Sequence, residues 1–303
     1  MQKKTGKMLA VSLIFLTALS LTSTTSIIAM AQAEQPTYSI GNEWKYSIEF
    51  LSGTDVVMEG ETTRKIIGEE NVIVDSVEYE CFVMEITSSW QPIPPDTIAW
   101  TESGTVYIQK SDLSMVRQDM EIKQMSGEEI TYQQISNATY DPPYNQLDFP
   151  IDVAKIWWAN TTRTQTIEIP PFPPSTGTTE ISQNFTVVKT EQVTVPAGTF
   201  DTLVIKYATL DNINEEYYSS GANGVVKELV YDRNMNLMKR TELLESNRIT
   251  PSGAIDTWLL LAVGIVAVVI VVVVIIFIRR RPAGIPKIKP SMLAIETHTS
   301  RKL

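Results

Sequence analysis

Two stretches of the sequence match each other at a constant offset of 121 positions, and both alternate between apolar and polar residues. They are residues 68–86 (GEENVIVDSVEYECFVMEI) and 189–207 (KTEQVTVPAGTFDTLVIKY), so that Val72 aligns with Val193. A period of two is typical of β-strands, because successive side chains of a strand face opposite sides of the sheet. Each stretch therefore predicts a pair of strands, and the repetition predicts a fold with two similar halves.

The match continues on both sides of these stretches, with small gaps. Residues 41–50 correspond to 154–169, and residues 113–122 correspond to 236–245. We predict a mainly β protein, in which curved antiparallel sheet is built from two similar halves of about six strands each. A chance match between two ordinary β-meanders is the alternative to a repeat.

The first half is predicted to cover residues 34–135 and the second to cover residues 136–248. Two prolines in the sequence DPPY predict a connecting loop at residues 141–144. The sequence leaves open whether the strands form one curled sheet or two small packed sheets.

The second copy of the repeat contains a four-residue turn signal, PAGT, between its two strands. Pro196 pre-sets a turn dihedral angle, and Gly198 can supply a positive φ. Val195 and Phe200 flank the turn, and the first copy has DSVE in place of PAGT. The two copies of the repeat therefore share no residues at the turn, so catalytic residues in one copy would be missing from the other. For this reason we interpret the hairpin as structural.

The beginning of the chain has the pattern of a secretory signal peptide. Three lysines precede an apolar run from Met8 to Leu21, and small residues follow in A-x-A spacing at residues 29–33. We predict that residues 1–33 are the signal peptide, with cleavage after Ala31 or Ala33. An uncleaved signal anchor is the alternative.

Residues 258–278 (WLLLAVGIVAVVIVVVVIIFI) contain no charged side chain. As a helix this segment would span about 31 Å, which matches the hydrocarbon core of a bilayer. A buried pair of strands is the soluble alternative, but the segment's length and lack of turn residues favour a single transmembrane helix. The lipid bilayer is therefore a predicted partner.

A basic tail follows that segment at once, beginning with three stop-transfer residues, Arg279, Arg280 and Arg281. Basic residues beside a span stay in the cytoplasm. We predict a single-pass plasma-membrane protein of type I topology. Its β-rich part is extracellular, residues 249–257 form a juxtamembrane linker, and residues 279–303 form a cytoplasmic tail.

The predicted extracellular part, residues 34–257, carries 15 lysines and arginines against 34 aspartates and glutamates. Such an acidic surface repels nucleic acid, which we exclude as a partner. Cys81 is the single cysteine of the chain. An internal disulfide is therefore impossible, and we expect Cys81 to be a buried small apolar residue.

The residues needed for most enzyme chemistry are missing from this part. The single histidine is His298, in the predicted tail, which excludes Ser-His-Asp and Cys-His catalysis and nearly all zinc sites. Glutamate pairs occur at 69–70, 128–129 and 215–216, and we expect them to be solvated, because adjacent strand residues face opposite ways. We predict no enzyme activity, no metal and no cofactor. A carboxylate-based hydrolase is the catalytic alternative.

Three N-x-T sequons predict N-glycosylation at Asn137, Asn160 and Asn184. They surround a proline-rich segment, residues 169–179, that we expect to be exposed. Trp157 and Trp158 adjoin one sequon and face opposite sides of a strand. An exposed tryptophan there could stack on a sugar or line an apolar groove, although burial in the core is the more common role.

The second half also carries a family resemblance. V-P-A-G-x-F at residues 195–200 is followed by the pair Tyr217 and Tyr218 and by G-x-x-G-V-V-K at residues 221–227. This pattern resembles uncharacterised exported proteins of archaea and bacteria, the DUF3108-like and TapB-like families. Those families are similar in fold to the lipoprotein carriers LolA and LolB. The resemblance implies a curved antiparallel sheet and no reaction.

The sequence thus predicts a membrane-anchored protein with a non-catalytic binding or interaction role at the cell envelope. An envelope protein, a glycan and an apolar ligand are the expected kinds of partner. The alternative function is that of a carrier or sensor for an apolar ligand held on the concave face of the sheet.

Overall fold

A computed structural model of the chain describes residues 32–93 and 98–249. The predicted signal peptide up to residue 31, the predicted span at residues 258–278 and the stop-transfer arginines Arg279, Arg280 and Arg281 lie outside the described residues. Within those residues, no helix has the length and apolar character needed to cross a membrane. The predictions about both ends of the chain therefore stay predictions.

The described residues are almost entirely β-strand, as predicted. The strands in chain order are β1 (Gln32–Ala33), β2 (Glu43–Ser52), β3 (Asp55–Val74), β4 (Val77–Pro92), β5 (Ile98–Gln109), β6 (Met115–Ser126), β7 (Glu129–Tyr144), β8 (Ile151–Asp152), β9 (Ile156–Glu168), β10 (Ser175–Val195), β11 (Gly198–Ala208), β12 (Asn212–Ser219), β13 (Gly224–Asp232) and β14 (Leu237–Ser246). One short 3-10 helix, Ser220–Ala222, connects β12 to β13.

Twelve of these strands form a closed antiparallel barrel, and the remaining two, β1 and β8, pair with each other. The order around the barrel is β10-β11-β12-β13-β14-β2-β3-β4-β5-β6-β7-β9, and β9 then pairs with β10. The prediction of curved sheets is thus corrected to a closed barrel. Closure removes the two unpaired edges that an open sheet would leave exposed.

Two pairings between distant segments close the barrel. β14 pairs with β2, where Thr241 lies opposite Ile48, and β7 pairs with β9, where Asn137 lies opposite Thr166.

Six barrel strands precede residue 145 and six follow it. The alignment of residues 113–122 with 236–245 was wrong in strand order, because β6 is the fifth barrel strand of the chain and β14 is the last.

The segment that was predicted as the DPPY connecting loop is part of a strand. Residues 141–144 complete β7, and Asp141 lies opposite Thr162 of β9. The connection between β7 and β9 instead runs through residues 145–155 and contains β8. In the proline-rich segment predicted at 169–179, residues 169–174 form an exposed turn, with Phe172 69% exposed, whereas residues 175–179 belong to β10.

Because neighbouring strands run in opposite directions, all connections lie at one of two ends. The long β3–β4 and β10–β11 hairpins, the connection 145–155 and the 3-10 helix share one end, which we call the hairpin end. The short connections, such as that between β2 and β3, lie at the far end.

Buried apolar residues are clustered toward the hairpin end. Val195 and Phe200 are buried in the largest apolar cluster, together with Trp44 and Leu243. The backbone N–H of Ala197, at the hairpin tip, donates to the carbonyl oxygen of Leu243 at 3.0 Å. The tip of the β10–β11 hairpin is therefore held against β14, across the end of the barrel.

The β3–β4 hairpin contributes a smaller cluster at the same end. It consists of Val72, Val74, Cys81 and Val116, and Cys81 is fully buried as expected. Burial raises the pKa of this thiol to about 11, so it stays protonated at neutral pH.

The first prediction concerns the turn of the β10–β11 hairpin. Gly198 has a φ of 140°, a conformation that residues with a Cβ rarely adopt. We expect Gly198→Ala to lower the free energy of unfolding by about 1 kcal/mol or more, measured by denaturant titration. Gly177→Ala is the matched control, because Gly177 lies in β10 with no atoms near its Cβ position. Equal effects of the two substitutions would contradict a strained turn.

The second prediction separates the two segments that the sequence marked as loops. Limited proteolysis of the folded chain should cut within residues 169–174, whose backbone lies outside the sheet. It should spare residues 141–144, because Asp141 pairs with Thr162 of β9 and Tyr144 pairs with Met115 of β6. Peptide mapping by mass spectrometry identifies the sites, and early cutting at 141–144 would contradict the pairing of β7.

Candidate functional site

The inside of the barrel contains a cavity of about 390 Å³ that is open to solvent. This volume is within the range of small-molecule sites in proteins. The space exists because several inward-facing residues of the middle strands are small. Thr62, Ser88 and Thr241 line the cavity, and Gly104 faces inward between Glu102 and Val106. The inside of the barrel is therefore not filled by its own side chains.

One wall of the cavity is mainly apolar. It is formed by inward-facing residues of β4, β5 and β6, namely Met84, Ile86, Val106, Ile108 and Met120. Alternation places these side chains inside and their neighbours in sequence outside. The flexible methionines can adapt to an irregular apolar shape.

The other wall, from β2, β3 and β12 to β14, carries charged and phenolic groups. Arg64 of β3 lies between Trp44 of β2 and Ile86 of β4 in the sheet register. Its guanidinium lies over the ring of Tyr46, with 5.1 Å between the guanidinium carbon and the ring centroid. The Arg64 Nε atom is buried and has no hydrogen-bond partner.

The Arg64 side chain forms no ion pair with a carboxylate among the described residues. A guanidinium carries five N–H donors in a planar fork and accepts no hydrogen bond. In this cavity the fork has the Tyr46 ring beneath it, and its buried Nε atom has no hydrogen-bond partner.

Two glutamates lie side by side on the same wall. Glu216 of β12 is opposite Glu228 of β13 in the register, and Glu216 is 5% exposed. Glu216 Oε1 accepts hydrogen bonds from Gln146 Nε2 at 2.7 Å and from the Tyr207 hydroxyl at 2.9 Å. These contacts fix the carboxyl group inside the barrel.

The two carboxyl groups differ in charge state. Burial, followed by the negative charge of Glu228, raises the pKa of Glu216 to about 7. Burial would also raise the pKa of Glu228, but attraction to Lys239 and Arg64 holds it below its ordinary value. Lys239 Nζ is 3.1 Å from Glu228 Oε2. Glu228 is thus a paired anion, whereas Glu216 is partly protonated at neutral pH.

Tyrosines complete the polar wall near the hairpin end. Tyr38, Tyr144 and Tyr207 line the cavity, and burial raises the pKa of each hydroxyl above its usual value. They therefore stay neutral and can donate or accept hydrogen bonds at physiological pH.

A second polar group lies deeper toward the far end. The hydroxyls of Thr62 and Ser88 are 2.8 Å apart, and the Ser88 hydroxyl donates to Glu102 Oε2 at 3.4 Å. Beyond it, two aromatic pairs face inward at the far end: Phe50 with Trp90 and Trp100 with Tyr132, whose ring centroids are 6.0 and 6.2 Å apart.

The residues singled out in the sequence lie elsewhere. The hairpin residues Val195, Pro196, Gly198 and Phe200 are at the hairpin end, and the sequon residues Asn137, Asn160 and Asn184 are on the outer surface. The expectation that the pair at 215–216 is solvated was wrong for Glu216. Its signal was present in the alternation of β12, where Glu216 shares a parity with the buried residues Asn214 and Tyr218.

Arg64 was missed for a similar reason. It shares its parity in β3 with Thr62 and Ile66, which are both buried, so the alternation marks it as inward-facing. A basic residue in a strand is usually assigned to the face in contact with solvent. The face that carries Arg64 becomes an inner face only because the sheet closes into a barrel. Among the described residues, no cluster of His, Cys, Asp and Glu could hold a metal ion.

A family model described as DUF3108-like matches residues 100–243. This confirms the predicted resemblance to that family over the matched residues, which are just under half of the chain. The resemblances to TapB-like proteins and to the LolA and LolB carriers stay predictions. No curated protein matches the chain.

Solved structures with some similarity include a β-barrel-like protein of a domain of unknown function, DUF1849, from Brucella abortus. It shares 7% identity and a TM-score of 0.40 with this chain, covering 71% of this chain and 100% of its own. A proposed lipoprotein from Parabacteroides distasonis shares 14% identity with a TM-score of 0.32, over 71% and 98% of the two chains. A proposed exported protein with a YmcC-like fold from Bacteroides fragilis shares 13% identity with a TM-score of 0.35, over 71% and 99%. These similarities are too low to inform the function of this chain.

The third prediction concerns the buried carboxyl group of Glu216. Its pKa is higher in the folded chain, about 7, than the ordinary value of 4.5. The protonated form therefore stabilises the fold fully below pH 4.5, and this contribution is lost as the pH rises through about 7. Glu216→Gln, which mimics the protonated form, should remove on the order of 2–3 kcal/mol of the loss in stability between pH 5 and pH 8.

Denaturant titrations of the variant and the original chain at both pH values measure this difference. Glu180→Gln is the control for the change from carboxylate to amide, because Glu180 is exposed on β10. The prediction is contradicted if the variant and the original chain lose the same free energy of unfolding between pH 5 and pH 8. Ionisation of Glu216 would then not destabilise the fold.

Proposed function

We propose that this chain is a non-catalytic binding protein of the cell envelope that holds a small amphiphilic anion inside its barrel. The observation that carries the proposal is the Arg64 guanidinium, which faces a cavity of about 390 Å³ without a hydrogen-bonding partner. Arg64 is half-buried, with its Nε atom buried and without a hydrogen-bond partner. Removing a charged group from water without a partner costs free energy, so an arginine in such a place favours a compensating interaction.

A carboxylate or phosphate group fits the vacant donors of Arg64. Guanidinium binds such groups through two parallel N–H···O bonds, and these charge-assisted bonds are the stronger ones in proteins. The stacking of Arg64 on the Tyr46 ring fixes the orientation of the guanidinium plane in the cavity. The anionic end of a ligand would lie between Arg64 and the tyrosine hydroxyls of the polar wall.

The neighbouring carboxyl groups do not satisfy this cation. Glu228 is paired with Lys239 and also accepts a hydrogen bond from the Thr241 hydroxyl at 3.3 Å. Glu216 is bound by Gln146 and Tyr207 and is partly protonated at neutral pH. Their attraction lowers the cost of burying Arg64 but leaves its N–H donors free.

The apolar wall supplies the second part of the recognition. Met84, Ile86, Val106, Ile108 and Met120 line the same cavity as Arg64. Each methylene group of a ligand buried against them contributes about 0.8 kcal/mol. A molecule with one anionic group and a short apolar body therefore matches the cavity better than a sugar or an inorganic ion.

The envelope location rests on the sequence. The predicted signal peptide at residues 1–33 and the predicted span at 258–278 support export and membrane attachment. The absence of histidine from residues 34–257 supports a role in binding rather than catalysis.

The fourth prediction tests the ligand class with three probes of equal length: decanoate, decanol and decylammonium. Isothermal titration of the purified full chain in mild detergent, with protein-free detergent as the blank, should give saturable binding of one decanoate per chain. Decanol should bind at least about tenfold more weakly, because it lacks the charge-assisted bonds to Arg64.

Arg64→Met should weaken decanoate binding by about tenfold or more and leave decanol binding unchanged. Arg117→Met is the matched control. Arg117 also lies on a strand over a tyrosine ring, Tyr107, at 5.2 Å, but its guanidinium is paired with Asp119. A thermal melt of each variant shows that the fold is retained.

Two results would overturn the proposal. Failure of all three probes to bind would exclude ligand binding of this class inside the barrel. Preferential binding of decylammonium would show that the interior carboxylates, and not Arg64, select the ligand.

A further inference from the structure

The three sequon asparagines lie on three neighbouring strands and face away from the barrel interior. Asn137 is in β7, Asn160 in β9 and Asn184 in β10, which are adjacent in the barrel. Five of the six residues beside them in sequence are buried: Ala138, Ala159, Thr161, Gln183 and Phe185. The fold therefore places all three sequons on one outer surface, although the first and last asparagines are 47 residues apart in sequence.

The strand geometry presents each sequon in an accessible form. In an extended strand the asparagine and the threonine two residues later share a face. At the β10 sequon the Thr186 hydroxyl donates to Asn184 Oδ1 at 3.3 Å. The amide nitrogen of Asn184, the atom that carries a glycan, donates no hydrogen bond to another described residue.

An exposed tryptophan lies between two of these asparagines. Trp158 is 59% exposed, lies opposite Asn184 in the β9–β10 register and precedes Asn160 by two residues. Cross-strand neighbours are about 5 Å apart, and residues two apart on one strand are about 7 Å apart on the same face. Both asparagines are thus within reach of the indole ring.

The exposure of Trp158 has no explanation within the barrel. Its neighbour Trp157 is 7% exposed and stacks on Phe185, with ring centroids 5.2 Å apart. Ile156 and Val188, on the same outer surface as Trp158, are also exposed. An indole in an exposed apolar patch requires a cover or a partner.

We propose that Asn184 and Asn160 carry N-linked glycans and that the first sugars of the Asn184 glycan stack on the indole of Trp158. Sugar rings present faces of C–H groups, and the flat face of an indole packs against such faces. This inference is independent of the ligand proposed for the interior and rests on export of the chain.

The attachment reaction needs a lipid-linked oligosaccharide, in which the first sugar is bound to a polyprenyl phosphate. The amide nitrogen of Asn184 forms a bond to the sugar's C1 atom, and the bond from C1 to the phosphate oxygen breaks. The amide proton leaves with the released phosphate, so no oxidant or reductant is involved.

The third sequon supplies an internal control. Asn137 lies opposite Thr166 of β9, six residues along the strand from Asn160. This separation is about 20 Å, which places the first sugars of a glycan on Asn137 out of contact with Trp158.

The fifth prediction uses the full chain purified from its native cells. Peptide mass spectrometry should find glycan mass on Asn184 and Asn160. Asn184→Gln should lower Tm by about 2 °C or more, because a glycan–indole contact is lost. In a Trp158→Ala background the same substitution should leave Tm unchanged, and Asn137→Gln should leave it unchanged in both backgrounds.

A chain produced in a host without the transfer machinery separates the glycan from the asparagine itself. There, Asn184→Gln should have no effect on Tm. Unmodified Asn184 in the native chain would overturn the proposal. An equal loss of Tm with and without Trp158 would overturn the stacking, and an equal loss in the unglycosylated chain would assign the effect to the amide side chain.

Discussion

The pairing of β14 with β2 is the interaction on which the rest of this structure depends. It joins Thr241 to Ile48 in register and turns a sheet with two edges into a barrel with an inside. In an open sheet, Arg64 and Glu216 would lie on a concave face in contact with water. Closure instead surrounds them with other strands, which raises the pKa of Glu216 and places Arg64 at the wall of a cavity.

Closure also explains why inside and outside differ so strongly in character. The outer surface alternates salt-bridged pairs, such as Lys45 with Glu61, with the sequons and Trp158. Charged groups of the interior have distinct environments: Glu228 is paired with Lys239, Glu216 is hydrogen-bonded, and Arg64 is stacked on an aromatic ring. Because the effective dielectric constant is lower inside the barrel, these electrostatic interactions are stronger than similar ion pairs and hydrogen bonds at the surface.

The alternation of apolar residues was sufficient to predict a mainly antiparallel β fold and the β10–β11 hairpin, because those depend on neighbours in sequence. It was not sufficient to predict closure, which depends on partners about 190 residues apart, such as Ile48 and Thr241. The misplaced loop at 141–144 has a local cause: prolines favour turns, but here tertiary pairing holds the segment in β7. Glu216 and Arg64 were missed because their charge suggested that they face solvent. The alternation of buried residues along β12 and β3 places both on the inner face of the barrel instead.

The β14–β2 contact has a consequence for how the chain reaches this state. The strand β2 begins at residue 43, but its second partner is complete only at residue 246. Until then β2 has a free edge, able to pair with other chains, and the loop that must be closed spans nearly the whole domain. Such non-local pairing is slow. A chain delivered from its N-terminus across a membrane would therefore expose that edge throughout its passage, and any truncation before β14 would leave it exposed permanently.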